Sequence, residues 1–172
     1  MKQVPIIGLA VAAIVFLADQ ATKFIVTDVL GLDVLAGRMI ELLPIFRIRF
    51  VANEGVSLGL LTAGSDGARW ALVALTGVIA AGVLVWMWRE RNRQDRFALG
   101  LVLGGAAGNI IDRARLGYVV DFADLHFGGW SPFLVFNLAD AAITIGVLVL
   151  LVRAILVRDK PAASVSVENG NA

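Results

Sequence analysis

The amino-acid sequence predicts an α-helical integral membrane protein: four transmembrane helices with a small β-sheet segment on the outer surface between the first and second spans. Three observations carry this expectation. Of the 172 residues, 59% are hydrophobic, against roughly 45–50% in an average globular chain. The apolar residues gather into four runs, at about 4–27, 69–88, 97–114 and 133–152, each near the roughly 20 residues a helix needs to cross the hydrocarbon. Between the first two runs lies a more polar, glycine-rich stretch, in which Phe46-Arg47-Ile48-Arg49-Phe50 alternates with period two, as a half-buried strand does. Length suggests one domain, over residues 1–160.

The first run follows Met1-Lys2, as a secretory signal peptide would. It is long for that, it carries Asp19 and Lys23, and further spans follow, so a first transmembrane helix is the better reading. Asp19 and Lys23 stand at i and i+4 on one face. They read either as a pair that neutralises itself near the interface or as a buried support for a polar site. The segment at about 40–62 reads as a small sheet on the membrane surface, because an open sheet edge cannot face lipid. Its parts are the Phe46–Phe50 strand, a turn at Asn53-Glu54-Gly55 and a return strand from Leu58 to Leu61; a plain connecting loop is the alternative.

Trp70 at one end of the second run, and Trp86 and Trp88 at the other, suit interfacial aromatic belts. The short loop from Arg89 to Arg96 is dense in arginine, which places it in the cytoplasm. Lys2, Arg153, Arg158 and Lys160 agree; basic residues on the other side are almost as numerous, so the density of that loop decides the orientation. In the third run Gly100, Gly104 and Gly108 form a stripe that lets helices approach closely, and Asn109, Asp112 and Arg113 share a face at its end. Residues 115–132 return along the outer surface. In the fourth run Asn137 and Asp140 stand one turn apart near the outer end, and Ala142 and Gly146 offer a small surface to the third span. The tail, residues 161–172, is small and polar and is expected to be disordered in the cytoplasm. No internal repeat is visible.

Composition narrows the chemistry. A formal charge of +1 gives no reason to expect nucleic acid, and no cysteine with a single histidine leaves no Cys- or His-rich metal site; neither a metal nor a cofactor is expected. With both ends of the chain on one side, the outer ends of all four helices sit together, and Asp121 and Asp140 fall at that level. Two close carboxylates suffice for amide hydrolysis: they share a proton, the ionised one deprotonates water and the protonated one polarises the carbonyl. No serine stands with a histidine and an acid in a recognisable triad spacing. On spacing alone, two aspartates at helix ends also serve as caps or interface residues. Asn109, Asn137 and Arg113 strengthen the catalytic reading, since polar groups near the hydrocarbon edge are costly unless they bind something. Arg113 is either a clamp for a carbonyl or phosphate-like group, or an ion-pair partner of Asp112 or an interface anchor. His126 reads as interfacial or solvated, and Asp124 as a solvated neighbour of Asp121. The rival class is a small proton-coupled transporter or channel, whose carboxylates belong near mid-bilayer on repeated or interrupted helices. A non-catalytic assembly protein, which would use the glycine stripe without needing both aspartates, comes after it.

Five short stretches, in order along nearly the whole chain, resemble the bacterial lipoprotein signal peptidases (signal peptidase II). They are Asp19-Gln20-Ala21-Thr22-Lys23, Asn53-Glu54-Gly55, the run Gly104 to Arg113, Val119-Val120-Asp121-Phe122 and Phe136-Asn137-Leu138-Ala139-Asp140. The resemblance implies an intramembrane aspartyl protease of the bacterial cytoplasmic (inner) membrane, with both termini cytoplasmic and its active site at the periplasmic face. Its substrate would be a prolipoprotein carrying diacylglycerol on the cysteine that follows the cut. Asp121 and Asp140 match the catalytic pair. Asp19, Lys23, Asn53, Gly55, Asn109, Arg113, Asn137 and Ala139 match positions that support the site or contact substrate. It also implies inhibition by globomycin. Membrane lipid is an expected partner, and a monomer the expected state. Leu58 departs from the pattern, standing where a phenylalanine is common.

Overall fold

The computed structural model describes residues 4–35, 37–55, 66–128 and 130–157. The return strand expected from Leu58 to Leu61, the departure at Leu58, the basic residues Lys2, Arg158 and Lys160 and the tail at 161–172 lie outside the described residues. The elements in chain order are α1 (Ile6–Phe24), which runs on into a π-helical turn (Ile25–Val29), β1 (Met39–Leu43), β2 (Phe46–Asn53), α2 (Asp66–Arg89), α3 (Arg93–Leu116), β3 (Val119–Leu125) and α4 (Leu138–Val157).

Among the described residues three stretches are long and apolar enough to cross a membrane: Ile6–Val29, Asp66–Arg89 and Leu138–Leu156, with mean hydropathies of 1.8, 2.1 and 2.2. Helix α3 matches α2 in length, 24 residues, but is not among them. It packs against α1, α2 and α4, so its surface is largely given to helix contacts and polar groups. An ideal Cβ at Gly100 or Gly104 would stand 2.5 Å from the carbonyl oxygen of Gly8 or Ala12, and one at Gly108 would run into the Asp19 carboxylate. The glycine stripe therefore faces α1. Helix α4 meets α3 through Gly105, against the Ala139 carbonyl, and through its own Gly146, whose Cβ would lie 2.7 Å from the Ala98 carbonyl oxygen.

Both ends of α3 are closed. Asn92 caps the start, its Oδ1 accepting from the backbone N–H of Gln94 at 2.8 Å. At the other end Gly117 takes φ +91°, the left-handed conformation that only glycine adopts cheaply, and its N–H donates to the Arg113 carbonyl at 3.2 Å. Arg69 of α2 adds two donors, to the carbonyls of Arg113 at 2.7 Å and Ala114 at 2.5 Å.

The sheet has three antiparallel strands in the order β1-β2-β3. The Phe46–Phe50 strand is present within β2, as its alternation predicts, but its described partners are β1 and β3. Residues 115–132, read from sequence as a return segment, thus supply a strand. Helix α4 begins at Leu138, later than the 133 expected. Residues before it lie against β3, where Phe136 bridges Ala123 through N–H···O bonds of 2.8 and 3.0 Å. An apolar run does not distinguish extended backbone from helix by composition alone.

Candidate active site

Strand β3 carries Asp121, and a neighbouring backbone reaches it from each side. Between Ile48 and Val51 the pairing of β2 with β3 shifts: Ile48 faces Ala123, whereas Val51 faces Asp121, so β2 holds one extra residue. Because side chains alternate across a strand, this bulge moves Asn53 onto the face that Asp121 occupies. Its Nδ2 donates to Asp121 Oδ2 at 2.9 Å. On the other side the Phe136 bridge brings Asn137 alongside, and its Nδ2 donates to Asp121 Oδ1 at 2.7 Å. Among the described residues each oxygen of Asp121 has one neutral donor, and the residue is 1% exposed. Burial pushes its carboxyl up to about 6, and the nearby Asp140 charge adds to that, against the hydrogen bonds from Asn53 and Asn137.

Asp140 is held by the start of α4. Asn137 caps that helix: its Oδ1 accepts from the Asp140 N–H at 2.9 Å, while Asp140 Oδ2 accepts from the Asn137 N–H at 3.2 Å. The two form a reciprocal capping box, with Asn and Asp in place of the commoner Ser/Thr and Glu. Asp140 Oδ1 accepts from Asn109 Nδ2 at 2.8 Å. Asn137 therefore touches both aspartates, through its side-chain amide to one and its backbone to the other, and it also reaches Asn109 Oδ1 at 3.2 Å.

Behind this layer lies a charged cluster. Lys23 Nζ stands 2.7 Å from Asp19, 2.8 Å from Asp112 and 3.3 Å from Asn109 Oδ1. Asp19, Lys23 and Asp112 are all buried, so the interfacial alternative for the Asp19–Lys23 pair gives way to the buried one. Asp19 Oδ1 accepts from the Ala139 N–H at 3.0 Å, Asp112 Oδ2 from the Val120 N–H at 3.3 Å, and Gln20 bridges the two acids. One cation with two carboxylates thus joins α1 to α3, α4 and β3. Asp112 pairs with Lys23, so the alternative in which Arg113 serves as its ion-pair partner gives way. The shared face of Asn109 and Asp112, visible in the sequence at i, i+3, places Asp112 in the cluster, whereas the sequence carries no signal for Gln20 as its bridging partner.

The guanidinium of Arg113 stands among Asp140, Asp121 and Asp112, close enough for each to act on it electrostatically. Its Nε is buried and has no hydrogen-bond partner among the described residues. Gly55 (φ +98°) fits beside it: a Cβ there would strike Leu72 at 2.7 Å and touch the guanidinium at 3.6 Å. Ala139 is fully buried, wedged against α3 at Gly105 and Gly108. All ten residues singled out from sequence fall within this one region.

Asp124 and His126 stand apart from it and correct the sequence reading. Asp124 points to the opposite face of β3 and is fully buried, not solvated; its Oδ2 accepts from Arg47 at 2.8 Å and Arg49 at 2.7 Å. Burial opposes its ionisation, but the two guanidiniums outweigh that and hold the carboxyl below its ordinary range. His126 is 5% exposed, with Nε2 3.9 Å from Glu41. Among the described residues no group of three or more His, Cys, Asp or Glu side chains could hold a metal ion.

Known proteins resemble this chain in sequence and in fold. A family model described as Signal peptidase (SPase) II matches residues 11–156. A lipoprotein signal peptidase of Rhizorhabdus wittichii is 58% identical over 154 residues, covering 89% of this chain and 88% of the relative. One of Sphingopyxis alaskensis is 53% identical over 153 residues, covering 89% and 87%. Two solved structures, each titled as a bacterial membrane enzyme, superpose with TM-scores of 0.75 and 0.74 at 28% and 30% identity. The first match covers 91% of this chain and 92% of the other, the second 89% and 94%.

Proposed function

Because this chain belongs to the signal peptidase II family, we propose that it removes the signal peptide from diacylglyceryl-modified prolipoproteins, acting as an aspartic endopeptidase that cuts before the lipidated cysteine. The observation that carries the aspartic chemistry is the single asparagine, Asn137, that touches both Asp121 and Asp140. The transporter alternative finds no support: its carboxylates belong at mid-bilayer, whereas Asp121 lies on a strand and Asp140 in the first turn of a helix.

The chemistry divides by environment. Asp121, buried and accepting from the neutral amides of Asn53 and Asn137, holds the shared proton. Asp140 lies in the first turn of α4, where the helix dipole favours a negative group, and serves as the base. Asp140 takes a proton from a water whose oxygen attacks the scissile carbonyl carbon, while Asp121 passes its proton to the carbonyl oxygen. The tetrahedral diol then collapses. Asp140 returns its proton to the amide nitrogen, the C–N bond breaks, and a hydroxyl proton goes back to Asp121. Asn53, Asn109 and Asn137 keep the carboxyls oriented through this exchange, and the unpaired Nε of Arg113 offers a donor to a peptide carbonyl. Lys23, buried between Asp19 and Asp112, anchors Asn109 from behind.

In the membrane, α3 spans as well, third in chain order and shielded by the other three helices, which makes four spans. The Arg89–Arg96 turn and both termini lie in the cytoplasm and the carboxylates at the periplasmic rim of the inner membrane. A lipid-anchored substrate reaches that rim by lateral diffusion, with its acyl chains kept among apolar helix faces. Membrane lipid surrounds a monomer, and a globomycin-type inhibitor competes for the same cleft. The test uses the purified full chain, with a diacylated prolipoprotein and its unlipidated form as substrates. Cleavage directly before the modified cysteine, at a rate at least about 100-fold above that of the unlipidated form, is expected if about 3 kcal/mol of lipid binding energy is used at the site. Equal cleavage of both would rule out a lipid-directed site.

A further inference from the structure

The end of the bundle opposite the carboxylates holds a cavity of about 720 Å³, within the roughly 300–1,000 Å³ range of ligand pockets. Ile7 of α1, Phe97 of α3 and Leu148, Val149 and Val152 of α4 form its apolar walls. It lies roughly 12 Å or more along α4 from Asp140, since Leu148 is two turns further on. Its origin is visible in the packing. Helices α3 and α4 are pinned together where Gly146 meets Ala98, and α1 meets α3 where Gly8 faces the Arg96 carbonyl. Immediately beyond these contacts the side chains grow from glycine and alanine to Phe97 and Leu148.

The mouth of the cavity is cationic. Arg153 closes one side, bound to Asp95 at 2.5 Å and to Gln94, so its charge is matched. Arg93 stands on the rim, exposed, and forms no ion pair among the described residues. It occupies the first turn of α3, where the helix dipole disfavours a cation and favours an anion. Arg89, Arg91 and Arg96 surround it in sequence, with only Glu90 and Asp95 to offset them.

We propose that this cleft is a binding site for an anionic phospholipid, with one acyl chain between Phe97 and Val149 and the phosphate on Arg93. Basic pockets between helices at a membrane surface bind acidic headgroups in this way. The charge decides against the other long apolar occupant, the signal segment of a substrate, whose leading end is itself positively charged. The site is separate from the carboxylates and does not depend on the peptidase reading.

The test reconstitutes the full chain in phosphatidylcholine nanodiscs carrying trace spin-labelled phosphatidylglycerol or spin-labelled phosphatidylcholine, and reads the immobilised fraction by electron paramagnetic resonance. The wild type should immobilise the phosphatidylglycerol label about fivefold more strongly, the size expected for one arginine at an anionic headgroup. Arg93→Gln should bring that ratio close to one. Val149→Trp, which fills the cleft and leaves the charge alone, should remove the selectively immobilised component. Arg91→Gln, in the loop just before α3 and not lining the cleft, should leave the ratio unchanged. Equal immobilisation of both labels by the wild type would overturn the proposal. So would a preference that survives Arg93→Gln and Val149→Trp, or one that falls as far in Arg91→Gln, since the attraction would then be diffuse. If one cleft variant does not fold, the other decides.

Discussion

Asp121→Asn and Asp140→Asn are each expected to lower the single-turnover rate of prolipoprotein cleavage by roughly 10^4-fold, the upper range for loss of a general acid or base. The substitution keeps size and shape but removes the group that carries or accepts the proton. Its structural cost is modest. In Asp121→Asn the new amide must place its NH2 toward either Asn53 or Asn137, both of which donate to the native oxygens. Asn137 cannot easily turn over, because its Oδ1 accepts from the Asp140 N–H. In Asp140→Asn the same conflict arises against Asn109. One hydrogen bond lost or strained is about 1–3 kcal/mol, too little to dissolve four packed helices. Both variants should therefore keep the wild-type helix content and nearly its thermal transition. The double variant should be no slower than the single ones, because the two acids act as a unit. Either variant working within about tenfold of the wild type would remove its aspartate from the acid–base pair.

Lys23→Met should give the largest loss of stability, roughly 3–5 kcal/mol, the cost of removing one partner from a buried ion pair. Methionine fills similar volume, so packing is nearly kept, but Asp19 and Asp112 are left facing each other without the cation that stood 2.7 and 2.8 Å away. Thermal unfolding in detergent would register the loss directly. Adding Asp112→Asn should restore a good part of it, because one of the two stranded charges is then gone. Activity should recover less than stability, since Asn109 would still lack the Lys23 contact that helps fix its amide toward Asp140. If the double variant were no more stable than Lys23→Met alone, the destabilisation would not come from stranded carboxylates.

Much of this arrangement was legible in the sequence because residues that are expensive in a membrane announce themselves. Asp121, Asp140, Asn109, Asn137 and Arg113 could be grouped by cost alone, and the glycine stripe of α3 by its spacing of four. What could not be read were the devices that act between distant segments. The bulge in β2 that turns Asn53 toward Asp121 depends on pairing with a strand some 70 residues later, and a single extra residue leaves no local mark. The partner of Asp112 is not legible locally: Arg113 is adjacent in sequence, whereas Lys23 lies on another helix and comes close only when Gly108 lets α1 approach. Asp124 looked solvated for the same reason: its arginines, Arg47 and Arg49, arrive across the sheet.

The claim on which all of this turns is that Asp121 and Asp140 form one proton-sharing unit. Infrared titration of the purified chain tests it most directly, using difference spectra against Asp121→Asn to isolate the protonated carboxyl. The expected result is a carboxylic acid band assigned to Asp121 that persists to about pH 6. In Asp140→Asn it should vanish at lower pH, because the neighbouring negative charge that disfavours ionisation is gone while the burial remains. A band that disappears in the ordinary aspartate range near 4, and is indifferent to the residue at 140, would mean two independent acids and would contradict the mechanism.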